Sequence, residues 1–70
     1  MSRMLMELVG KRCVITDDAE EYLTGDANIT CRVLAVDEEW LKVAYRDAMG
    51  NHVCRMTRVE NVSGVLSYEN

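Results

Sequence analysis

Proline is absent from the 70-residue chain, and no low-complexity tract, linker or internal repeat interrupts it. A polyproline spacer and a repeat array are thereby excluded, and the length allows one domain. Long apolar runs are missing too, since none approaches the roughly 20 residues that a membrane-spanning helix needs. No stretch joins a charged start, an apolar centre and a small-residue cleavage pattern. The expectation is a soluble, cytoplasmic protein with no membrane partner.

Cysteine is sparse and wrongly spaced for a scaffold. Cys13, Cys31 and Cys54 are odd in number, lie far apart and form no CxxC pair, so neither a disulfide framework nor a zinc knuckle is expected. They read as reduced core residues. The one histidine, His52, falls two residues before Cys54 and shares its strand face. A catalytic or zinc pairing of the two would need a cleft or a knuckle that this chain can hardly enclose. No nucleophile, base and orienting group can be assembled, so no catalytic residue, metal ligand or cofactor is assigned and the chain is not expected to be an enzyme.

Basic residues are in the minority, 8 Lys and Arg against 12 Asp and Glu, for a net charge of -4. That balance argues against a protein whose main work is gripping phosphate, and no DNA partner is expected. It leaves room for a local basic strip. The acidic residues gather in "DDAEEYLTGDAN", which lacks the spaced D-x-D-x-D-G pattern of a calcium loop and reads as a solvated loop over about residues 17–28.

What is present is a folded core in prospect, with 49% apolar residues. A chain this short still buries only about 60% of the surface its unfolded form exposes. Met1, Met4, Leu5, Leu8 and Val9 recur at helical spacing, with Ser2 as N-cap and Gly10 as C-cap, which predicts one short helix over about residues 2–9. The period then changes to two. Strands are expected over 11–16, 29–36, 40–46, 52–57 and 62–68, separated by the acidic loop, an Asp37-Glu38-Glu39 turn, a Gly50-Asn51 turn and the tight "RVEN" connection. One helical turn is expected around Tyr22 and Leu23. The nearly continuous apolar series from Ile29 to Val36 implies burial on both faces or a strong bend. A flat sheet of five such strands would leave two edges open, so the predicted fold is mainly β: a short N-terminal helix followed by a five-stranded, strongly bent antiparallel barrel.

The chain resembles the Sm-like family of small barrels, which commonly form rings and bind RNA. "LVGKRCVI" is similar to that fold's helix end and first strand, "ITCRVLAVD" to its second strand ending in an aspartate at Asp37, and "TRVENV" to its arginine-containing turn at Arg58. The resemblance covers Leu8 to Val65. Leu41 stands where the family has an asparagine that seats a base, Val59 and Cys31 stand where it has glycines, and the loop after the first strand is longer. It implies an Sm-like barrel in a homo-oligomer, such as a ring.

Two functions are carried forward. The first is a non-enzymatic module that self-assembles and mediates protein interaction, in keeping with the net acidity and the missing asparagine and glycine. The second is an RNA-binding Sm-like ring. Asp37, Trp40, Lys42, Arg55 and Arg58 are the candidate RNA- or partner-binding residues. Asp37 and Arg58 can equally hold their turns in shape, and Trp40 suits either base stacking or a subunit contact. Arg32 and Arg46 add further positive charge on strands. That charge can face nucleic acid or the acidic loop of a neighbouring subunit.

Overall fold

The computed structural model describes residues 3–68. Its strands are β1 (Arg12–Asp17), β2 (Glu21–Tyr22), β3 (Cys31–Val36), β4 (Trp40–Arg46), β5 (His52–Arg58) and β6 (Val62–Ser67), with a 3-10 turn at Val59–Asn61. Every strand pairing is antiparallel. β1 is the hub: β6 runs along one of its edges, while β3 and then β2 share the other. The sheet therefore reads β6, β1, β3 with β2, β4, β5, five ranks wide. Because β5 and β6 do not pair among the described residues, the curved sheet is a half-barrel.

The N-terminal helix expected over 2–9 is not formed. What stands there is a single four-residue turn, Arg3–Met6, and the chain then leaves helical geometry: Val9 makes an isolated parallel bridge to Val33 and the Gly10 N–H donates to the Val33 carbonyl at 2.7 Å. A stretch this short cannot offset the cost of helix nucleation, and here its backbone groups have a strand to bond to instead. Met1 and Ser2, expected as stripe and N-cap, lie outside the described residues. Gly10 does take the left-handed conformation, φ 84°, and uses it to turn the chain into β1.

The acidic loop is also more ordered than its composition suggests. The helical turn expected at Tyr22 and Leu23 is replaced by β2, which pairs back on β1 through Thr16 with Tyr22 and Asp17 with Glu21. Leu23 follows with an N–H bond to the Ile15 carbonyl at 2.8 Å and is fully buried. One apolar side chain thus anchors an otherwise mostly exposed acidic segment to the core. Glu21 accepts a left-handed φ of 68° to make this reversal.

Ile15, Leu23, Val33, Leu41 and Val43, with Cys13 and Cys31, form the core on the inner side of the curve. Full burial of each aliphatic chain contributes roughly 1.5–3 kcal/mol. The second expected strand begins two residues later than predicted, at Cys31, and its apolar series is explained by a bulge between Val33 and Ala35 rather than by burial on both faces. Leu34 points outward by alternation and Ala35 joins it there through the bulge, where the strand bends.

Candidate interaction surfaces

Alternation along paired strands assigns every strand side chain to a side, since directly paired residues point the same way. On the inner side Val43 pairs with Arg55 and Tyr45 with Val53. The outer side carries the pairs Trp40 with Arg58, Lys42 with Met56, Ala44 with Cys54 and Arg46 with His52. It continues across β3 and β1 through Arg32, which pairs with Ala44, and Arg12, which pairs with Arg32.

The five sequence candidates are not brought together. Asp37 spends its carboxylate on its own turn: Oδ1 accepts the backbone N–H of Trp40 at 2.7 Å and of Glu39 at 2.8 Å. Those bonds, the Trp40 one first, hold the carboxyl below its ordinary value. Arg55 is on the inner side, where its guanidinium meets Glu20 at 2.6 Å and the Leu23 carbonyl at 2.7 Å. Trp40, Lys42 and Arg58 share the outer side. The Arg58 guanidinium lies over the Trp40 ring at 4.9 Å from its centroid and approaches Glu39 at 4.0 Å.

Arg12, Met56 and Leu34 belong to the same outer surface but were not singled out in the sequence. Alternation within β1 and β5 places Arg12 and Met56 there. Leu34 follows the same alternation from Arg32, and only Ala35 owes its outward position to the bulge. Among the described residues, neither Arg12, Arg32 nor Lys42 has an ion-pair partner, and all three are exposed.

A second surface lies at the open side of the half-barrel. Leu5, Leu8, Val59, Val62 and Val65 line a cleft of about 480 Å³ beside β6. Val65 is 38% exposed although its neighbour across the pair, Ile15, is buried.

Buried thiols are the remaining reactive groups. Cys13 and Cys31 face each other across β1 and β3 with sulfurs 4.0 Å apart, both fully buried and free. Their mutual hydrogen bond and burial push the Cys31 thiol well above its ordinary value. Cys54 departs from the expectation of three core cysteines: it is free and exposed, because its position in β5 points outward. No cluster of three or more His, Cys, Asp or Glu side chains suited to a metal ion occurs among the described residues.

Comparison with protein-family models, with curated proteins and with solved structures finds no match for this chain.

Proposed function

We propose that this chain is a self-assembling, non-enzymatic interaction module of the Sm-like type, in which β5 of one copy pairs with β6 of the next. The observation that carries this reading is the open half-barrel: its two long edge strands, β5 and β6, lie at opposite ends of one curved sheet, and among the described residues no further strand pairs with the outer edge of either. Head-to-tail joining of such edges is a heterologous contact that closes into a ring when the curvature is constant. The cleft beside β6, with half-exposed Val65, supplies apolar surface for the same junction. A seven-residue core gains most from additional burial of this kind.

The RNA reading has less support at the position the family resemblance indicates. Leu41 is fully buried in the core, and the Asp37 carboxylate is committed to backbone N–H groups. The protein-interaction reading needs neither residue.

Light scattering on the eluting peak of a size-exclusion column tests the assembly. The expected mass is a multiple of the 8.0 kDa chain, reduced to the single chain by Val65→Asp, which places a carboxylate at the junction. A monomeric wild-type protein across the micromolar range overturns the reading.

A further inference from the structure

β3, β4 and β5 contain five cationic residues and no aspartate or glutamate. Four of the five, Arg32, Lys42, Arg46 and Arg58, are on the outer side; only Arg55 is turned inward. Arg12 extends the cationic surface onto β1. The carboxylates that flank these three strands in sequence, Asp37, Glu38, Glu39, Asp47 and Glu60, lie outside the strands, and Asp37 and Asp47 are occupied by backbone N–H groups. A net-negative protein thus gathers Arg12, Arg32, Lys42 and Arg46 on one side, with Glu39 approaching only Arg58 at its margin.

Aliphatic side chains are interleaved with the charges. Met56 is 54% exposed beside Lys42, and Leu34 is 41% exposed on the neighbouring strand. We propose that this outer face docks an acidic, extended segment of a partner protein, with carboxylates against Arg32, Lys42 and Arg46 and aliphatic side chains against Leu34 and Met56. This inference rests on the protein-interaction reading above, but not on self-assembly.

The spacing fits. Alternate residues on β4 stand about 6.6–6.8 Å apart, so Lys42 and Arg46 are separated by about 13 Å, the distance between side chains four residues apart in an extended peptide. Such a peptide lying along β4 meets both cations with its own alternate residues. Nucleic acid fits less well, because stacking needs a free aromatic face. Arg58 occupies one face of the Trp40 ring, which is 36% exposed, and Tyr45 is turned inward onto the core, so this side offers no run of aromatic faces. The chain's own acidic loop is a poor occupant, since Asp17 caps the Ala19 and Glu20 amides, Asp26 caps the Asn28 amide and Glu20 holds Arg55.

The test is a fluorescence-anisotropy titration with a short labelled peptide alternating glutamate and leucine, and with its lysine counterpart as control. Binding of the glutamate peptide alone is expected, weakened about tenfold by Arg32→Glu or by Lys42→Glu. Lys11→Glu, which makes the same change in net charge ahead of β1, is expected to leave it unchanged. Arg32→Gln and Lys42→Gln, at exposed positions, give a smaller loss in the same direction and guard against a misfolded reversal variant. No binding, or an equal loss with Lys11→Glu, overturns the proposal. So does tighter binding of oligouridylate that is lost in the same variants, an outcome that assigns the face to RNA. Repeating the titration on Val65→Asp separates the two readings: retained peptide binding there supports the docking face whether or not the wild type assembles, and its loss assigns the binding to the junction instead.

Discussion

Arg55 ties the last long strand of the meander to the acidic segment: from β5 it crosses the inner side to bond the Glu20 carboxylate at 2.6 Å and the Leu23 carbonyl at 2.7 Å. Arg55→Met removes both bonds while keeping a long apolar stem. The Leu23 carbonyl then loses its charged donor, a loss of about 1.5 kcal/mol, at the low end for such bonds because the arginine side chain is one-third exposed. Urea denaturation measures it. Hydrogen exchange at the Leu23 amide, which is bonded to Ile15, is expected to accelerate by more than the amides of β4.

Acid weakens the same contacts. The Arg55 hydrogen bond holds Glu20 below its ordinary 4.5, and backbone N–H groups hold Asp37 and Asp47 below 3.8. Carboxylates with lowered folded-state values contribute stability that is complete above the unfolded values and is lost as pH falls through the folded ones. Thermal midpoints are therefore expected to be level from neutral pH to about 5 and to decline below about 4.5. Glu20→Gln removes the first part of that decline and, at neutral pH, lowers the midpoint. A midpoint that rises on acidification contradicts the assignment.

Thiol titration counts the cysteines by location. With an aromatic disulfide reagent under native conditions one thiol, Cys54, is expected to react promptly, and Cys13 and Cys31 only at the rate of unfolding. In denaturant all three react together. Cys54→Ser abolishes the fast phase without altering the slow one.

Gly64 is required for close approach rather than for flexibility. A Cβ there falls 2.9 Å from Thr16 Oγ1, whose hydroxyl donates to the Gly64 carbonyl at 3.2 Å. Gly64→Val is expected to displace Thr16 and open the β1–β6 pair, costing about 1–3 kcal/mol as overpacking does. Paired with Thr16→Gly, the same change costs less, and a double-mutant cycle by chemical denaturation reads the coupling.

The strands were legible because their alternation and their turn residues agree: β4 was predicted at its observed limits and β5 and β6 within a residue. The N-terminal segment was misread for a physical reason. Leu5 and Leu8 satisfy a helical period, but the backbone from Val9 onward finds hydrogen-bond partners on β3, and a period says nothing about competing partners. Leu23 was equally opaque, since its burial depends on a chain reversal at Glu21 that few non-glycine residues make. Of the candidate surface residues, Lys42 and Trp40 could be grouped from alternation alone, whereas Arg58, expected in the turn, joins them through the β4–β5 register. Arg55 could not, because its side is decided by which face of the sheet holds the core.

β1 pairs with β3 just after the acidic segment and with β6 at the far end of the chain. The meander of β3, β4 and β5 needs only neighbouring residues, whereas the β1–β6 pairing joins Cys13 to Ser67. Loops of that size are slow to close, so the meander forms before the sheet is complete. During synthesis, the outer edge of β1 stays unpaired until β6 has emerged, and the nascent sheet exposes an edge of buried-type residues, Val14 and Ile15 among them, until that strand docks.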